Sequence, residues 1–273
     1  MKKNRIALIC ILSIFVLALA RNAAAYNAAF THTCYLMDAA PSINGQYTAA
    51  EYASSASVPF GVNGVSRNGW TFSPSVYATF CIETWDTTND AGDYWLITFD
   101  STTAGAETPP NGGTAPQTDD FKLVVTGHTS PTIQWYKGNG TGWTAIATPS
   151  GFSDPAVFAQ AQSLSASPMY ATPHYIWEMH VDKTSTALGI MPMGYNWASY
   201  IAYYDAHAGG YGLQSWPPSP ASETNPNSWG YVPYVMEAAP EGFTFGIIVM
   251  LSSIAVVASA VLLRKRTLPK ILI

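Results

Sequence analysis

Charge is scarce in this chain. Asp, Glu, Lys and Arg make up 11% of its 273 residues, whereas 48% are apolar and 13% aromatic. A chain that stays unfolded in water needs much charge and few apolar groups, so a solvated, disordered polymer is excluded. Positive charge is scarcer still in the middle of the sequence. Between residues 26 and 240 only Arg67, Lys122, Lys137 and Lys183 are basic, against sixteen acidic residues, a net charge of −12. Such a surface repels phosphate backbones, which excludes a nucleic-acid partner. Long apolar runs are missing except at the two ends, and no sustained helical period lies between them. There is no Gly-x-Ser-x-Gly elbow, no metalloprotease spacing among the five histidines (32, 128, 174, 180 and 207), and no pair of carboxylates that the sequence places across a cleft. The chain therefore reads as a protein that is not an enzyme, with its histidines on a mixed polar surface.

What is present begins with the ends. Lys2, Lys3 and Arg5 precede an apolar run over residues 6–20, and the small residues Ala23, Ala24 and Ala25 follow. This is the layout of a secretory signal peptide over residues 1–25, cleaved most simply before Tyr26, with Ala18-Leu19-Ala20 as a competing cleavage site. At the other end, residues 243–263 carry no charge, and Arg264, Lys265 and Arg266 come next. A helix of that length crosses about 30 Å of hydrocarbon. Positive flanks stay in the cytoplasm, so a transmembrane helix over 243–263, a cytoplasmic tail over 264–273 and an extracellular domain over 26–239 are expected.

The extracellular part reads as one all-β domain. Short alternating or aromatic runs recur at residues 30–37, 76–85, 94–99, 121–125, 132–137, 143–146, 157–164, 175–181, 200–204 and 229–235. In 76–85, Val76, Ala78, Phe80 and Ile82 share one face, and Thr79, Cys81 and Glu83 the other. The Gly- and Asn-rich turn at 138–142 predicts a hairpin. Brief helices are expected at 48–52 and 183–188, and a Pro-rich loop at 216–226. Some ten strands with polar turns predict a two-layer antiparallel β-sandwich of jelly-roll type.

Few residues carry candidate chemistry. The loop 86–93 offers Asp86, Asn89, Asp90 and Asp93 with a bending glycine, a set of hard oxygens suited to Ca2+. Trp135, Trp143, Trp216 and Trp229 are candidates for stacking on sugar rings, with packing in the core as the alternative reading. Cys34 and Cys81, the two cysteines left after signal removal, read as a disulfide in an exported domain; two buried thiols on separate strands are the alternative. Asn139-Gly140-Thr141 is a glycosylation sequon on a turn.

Two resemblances add to this. Pro240-Glu241-Gly242-Phe243, an apolar helix and a basic cluster together resemble the C-terminal sorting signals of archaeal surface proteins, which carry a Pro-Glu-Phe or Pro-Gly-Phe motif. That resemblance implies an archaeosortase as partner. Ile43-Asn44-Gly45 with Glu51-Tyr52, the run into Asp86, Asp119-Asp120-Phe121, Tyr175-Ile176-Trp177-Glu178 through Leu188-Gly189, and Tyr204-Asp205, Trp216-Pro217-Pro218 and Trp229-Gly230 resemble, in order, the family nine carbohydrate-binding modules. The resemblance implies a β-sandwich and, in some members, sugar binding and structural calcium. The expected role is therefore a membrane-anchored cell-surface module that binds polysaccharide or packs with envelope proteins. The related DOMON type implies the alternative, a haem-binding sandwich, for which Met169, Met179, Met191, Met193, His174 and His180 are available axial ligands.

Overall fold

A computed structural model describes residues 27–72, 76–100, 112–182 and 196–235. The expected signal peptide (1–25), the short helix at 183–188, the motif Pro240, Glu241, Gly242 and Phe243, the apolar segment 243–263 and the tail 264–273 all lie outside the described residues. Among the described residues, no helix is long and apolar enough to cross a membrane.

The regular structure of the described residues is almost entirely strand. In order these are β1 (Asn27–Thr31), β2 (Cys34–Leu36), β3 (Ala56–Phe60), β4 (Gly64–Trp70), β5 (Tyr77–Glu83), β6 (Tyr94–Asp100), β7 (Asp120–Thr126) and β8 (Thr132–Gly138). There follow β9 (Trp143–Ile146), β10 (Phe158–Ser165), β11 (His174–Asp182), β12 (Trp197–Ser199), β13 (Ile201–Asp205), β14 (Gly212–Trp216), β15 (Gly230–Val232) and β16 (Tyr234–Val235). Residues 49–54 form turns where a helix at 48–52 was expected, and a 3₁₀ turn, Pro226–Ser228, ends the Pro-rich loop.

The strands form two sheets, a nine-stranded one ordered β1-β15-β12-β6-β7-β8-β9 with β13 beside β6 and β14 beside β13, and a seven-stranded one ordered β10-β11-β5-β4-β2-β16 with β3 beside β4. The all-β sandwich is as expected, but purely antiparallel pairing is corrected. β1 pairs with β15, β2 with β16 and β2 with β4 in parallel, so both sheets are mixed. Two of these three parallel pairs join early strands of the described chain to its last ones.

Strand periodicity decides what fills the space between the sheets. Val76, Ala78, Phe80 and Ile82 face inward with Tyr175, Trp177, Met179 and Val181, and meet Trp95, Ile97, Phe99, Leu123, Trp135 and Trp197 of the larger sheet. Each buried aromatic hides roughly 150–250 Å², so rings supply most of the burial that a charge-poor chain relies on.

The same parity corrects the disulfide. Cys34 lies in this inner core, whereas Cys81 lies with Met37, Tyr52 and Ile176 on the outer face of the smaller sheet. The two side chains are on opposite faces, and the two buried cysteines form no disulfide. A bridge needs Cβ atoms about 3.5–4.5 Å apart on converging vectors, which this arrangement forbids.

Candidate functional site

The acidic loop joining β5 to β6 folds back on itself. Thr88 donates from its backbone N and its hydroxyl to Asp86 Oδ1, both at 2.8 Å. Asp90 N donates to Asp93 Oδ2 at 2.8 Å, and Ala206 N donates to Asp93 Oδ1 at 2.8 Å. These bonds turn Asp86 and Asp93 inward, where both are buried. Asn89 and Asp90 stay at the surface, bonded to Thr129 and His207. The structure therefore brings together two of the four residues expected to bind calcium.

The third member is His128, which the sequence reading placed on a polar surface. It is buried, and the ligand atoms of Asp86, Asp93 and His128 lie within 4.8 Å of one another. Its ring lies flat on Tyr175, with centroids 3.4 Å apart. Nε2 is 3.2 Å from Asp93 Oδ2, 3.8 Å from Asp86 Oδ2 and 3.1 Å from the Tyr203 hydroxyl. Tyr203 donates a short hydrogen bond to Asp86. The two carboxyls are driven apart. Burial pushes Asp86 up, but His128 beside it and hydrogen bonds from Tyr203 and Thr88 outweigh this and hold the group at about 2. Asp93 is raised, by burial first and then by the charge of Asp86 against its own donors. Register explains the encounter. Tyr94 pairs with Thr126, so the residue before β6 meets the residues just after β7. Gly127, at φ +79°, bends the chain there and donates to Asp93 O at 2.7 Å.

A second candidate lies on the outer face of the larger sheet. Leu213, Tyr204 and Tyr94 are neighbours across β14, β13 and β6, and the two tyrosine rings stack at 5.3 Å and 17°. Beside them runs a groove of about 150 Å³ lined by Tyr94, Leu96, Tyr200, Leu213, Ser222 and Glu223. Its far wall is the Pro-rich loop, pinned where Trp229 Nε1 donates to Ser222 O at 2.9 Å. Glu223 pairs with Lys122 at 3.0 Å, and the ammonium sits over Tyr136 and Trp143.

The expected tryptophans are mostly occupied elsewhere. Trp135, Trp216 and Trp229 are buried, and Trp143 is half-buried with its ring parallel to Trp229 at 6.2 Å. A larger hollow of about 480 Å³ lies beside Ile133, Trp135, Phe152 and Phe158. Its three aromatic rings are buried, so it presents no flat ring face. Asn139 sits exposed in the β8–β9 turn, its Oδ1 accepting from Thr141 and Gly142. The available haem ligands do not converge. Met179 is in the core, and His180, on the opposite face of β11, stacks on Tyr77. His174 is bonded to Glu83, Met169 contacts Arg67, and Met191 and Met193 lie outside the described residues. His32 is also buried rather than on a polar surface; burial pushes its imidazole down to about 3 against the Ala56 carbonyl.

Near the second candidate, Asp100 and Asp120 stand opposite each other on β6 and β7, both fully buried. Gly112 N serves Asp100 Oδ2, and Gln117 N serves Asp120 Oδ2. Burial raises both carboxyls, and mutual proximity adds to it for Asp120, so the folded pair retains a proton that water would remove. Because the folded values are raised, this contribution to stability is full below the unfolded value of about 3.9 and is lost as pH rises through the folded values. Asp120→Asn keeps an acceptor for Gln117 N and gives Asp100 a permanent donor. It is expected to match the wild type near pH 4 and to exceed it near pH 8 by about 1–3 kcal/mol in urea unfolding. An unchanged difference across that range would show that the pair does not share a proton.

Compared with family models, with curated proteins and with solved structures, the chain matches none.

Proposed function

We propose that this chain is an exported, membrane-held module that binds a glycan in the groove on the outer face of its larger sheet, without cleaving it. The observation that carries the reading is the stacked Tyr94–Tyr204 pair beside the exposed Leu213, facing Ser222 and Glu223 across the groove. A ring face covers the apolar side of a pyranose, while a carboxylate accepts from its hydroxyls and a serine hydroxyl donates or accepts. Tyrosine suits this place because its phenol tolerates water at one edge. The groove's carboxylate, Glu223, is tied to Lys122, whereas hydrolysis of a glycosidic bond calls for two carboxyls flanking it. The acidic body favours neutral sugars over anionic ones. The signal-like start, the apolar segment 243–263 and the Pro240–Phe243 motif support a place on the cell surface, with the membrane and an archaeosortase as partners.

The test uses the full-length protein in detergent on a panel of immobilised neutral and acidic polysaccharides. Retention on at least one neutral polysaccharide is expected, and the Tyr94→Ala, Tyr204→Ala double variant should bind it at least tenfold more weakly. No retention on any polysaccharide would reject the reading and leave an envelope-packing role.

A further inference from the structure

We propose that Asp86, Asp93 and His128 hold one divalent transition-metal cation of the zinc class, at the end of the sandwich where the β5–β6 and β7–β8 connections meet. This does not depend on the glycan reading.

The hydrogen-bond pattern determines which atom of His128 is free. Gln162 Nε2 donates to Gly127 O at 2.7 Å, and Gln162 Oε1 accepts from Trp95 Nε1 at 2.8 Å. The amide is thereby oriented, and its oxygen faces His128 Nδ1 at 2.6 Å. An amide oxygen cannot donate, so Nδ1 carries the hydrogen. The lone pair of a neutral ring is left on Nε2, aimed at Asp86 and Asp93. Tyr203, the hydroxyl nearest Nε2, gives its one proton to Asp86. Nε2 therefore needs a proton of its own or a cation.

Charge favours the cation. Two buried carboxylates facing an imidazolium leave one negative charge without a partner, whereas a divalent ion with a neutral imidazole leaves none. Among the described residues the Lys and Arg side chains are engaged elsewhere: Arg67 with Glu83, Lys122 with Glu223, and Lys137 over Phe121.

The donor set narrows the ion. Donors sharing a cation at roughly 2.0–2.2 Å stand about 3–4 Å apart, as Nε2 does from the two carboxylate oxygens. One imidazole nitrogen with two carboxylates suits zinc and its neighbours; calcium takes six to eight oxygens. An outer layer is also built. Gln162 orients the imidazole, Thr88 and Tyr203 hold Asp86, and Ala206 N and Asp90 N hold Asp93. Metal sites depend on such support to fix tautomer and direction.

The test treats purified full-length protein in detergent with chelator and then reloads it. Wild type is expected to retain one Zn2+ per chain after dialysis and to show a Co2+ visible absorption band that Zn2+ bleaches and excess Ca2+ does not. His128→Gln and Asp93→Asn should bind Zn2+ at least tenfold more weakly, with near-ultraviolet dichroism reporting whether each variant is folded. Asp154→Asn, an exposed acid of the loop before β10, should bind like wild type. Wild type that retains no zinc and carries a proton on His128 Nε2 by nitrogen NMR would overturn the proposal. So would displacement by calcium, or folded His128→Gln with unchanged affinity.

Discussion

Glu178→Ala is expected to lower stability by roughly 3–5 kcal/mol, among the largest effects of any single change in the chain. Glu178 lies on the outer face of β11, fully buried beneath the loop that precedes β3. Its Oε2 accepts from the backbone N of Asn44 at 2.9 Å, of Gly45 at 2.8 Å and of Gln46 at 3.3 Å, and its Oε1 accepts from the Tyr52 hydroxyl at 2.8 Å. Removing the carboxylate strands the buried Gly45 N and Tyr52 hydroxyl, at about 1–3 kcal/mol for each group left unsatisfied, and frees the part-buried Asn44 N and Gln46 N. The loss stays below the full sum because burial pushes the Glu178 carboxyl up despite its donors, so the wild type already bears a desolvation cost. Gly45→Ala attacks the same turn from the backbone. Its φ is +76°, and an added Cβ would lie 2.5 Å from the Gln162 carbonyl carbon. Urea unfolding of both single variants and the double checks this: the double should cost clearly less than the two singles together, because one turn is lost only once. Strict additivity would show that Glu178 does not organise the turn.

Arg67→Met is the second large effect, about 3–5 kcal/mol at neutral pH. Arg67 and Glu83 form a buried ion pair on β4 and β5, His174 bonds Glu83 Oε2 at 3.0 Å, and the guanidinium lies 3.7 Å from the Tyr47 ring centroid. Burial pushes Glu83 up, but the hydrogen bond from His174 and the charge of Arg67 outweigh it and hold the carboxyl below its usual value. Burial likewise lowers His174, and its bonds to Glu83 and the Thr172 carbonyl outweigh that and raise it. With its folded value depressed, Glu83 contributes stability above its unfolded value and loses it as pH falls. Without Arg67, Glu83 keeps its bond to His174 but loses a charge that opposes burial and takes up a proton more readily, so the penalty of Arg67→Met should be largest near pH 7.5 and smaller near pH 4.5. A penalty independent of pH would assign the loss to packing against Tyr47 instead.

The alternating strands were legible because one side of each faces a closed interior. Residues 76–85 and 175–181 occupy β5 and β11 with the expected faces inward. β4 escaped notice for the converse reason. Its inward positions include Ser66 and Asn68, and Gly69 leaves room for the Met37 side chain, so the segment reads as a polar turn. The motif Ile43-Asn44-Gly45, Glu51-Tyr52 and Glu178 was legible as a series, and its physical basis is the carboxylate that gathers the turn and the tyrosine. The tryptophans misled because large rings are the filling of this sandwich, while the exposed stack is made by tyrosines whose strands, β6 and β13, become neighbours only through register. His128 was missed likewise: nothing local distinguishes it, and only the pairing of β6 with β7 carries it to Asp93.

The parallel seam between the chain's beginning and its end has a consequence in time. β1 finds its partner in β15, some two hundred residues later, and β2 meets β16 at the last described positions. At roughly 5–20 residues per second, the opening segment waits on the order of 10–40 s before the segment that pairs with it is made. Until then the edge strands lack their ladder partners, and contacts of such long separation form slowly. The sandwich therefore closes late, like a clasp whose second half is made some two hundred residues after its first, and a ribosome stalled short of residue 230 would leave that clasp open.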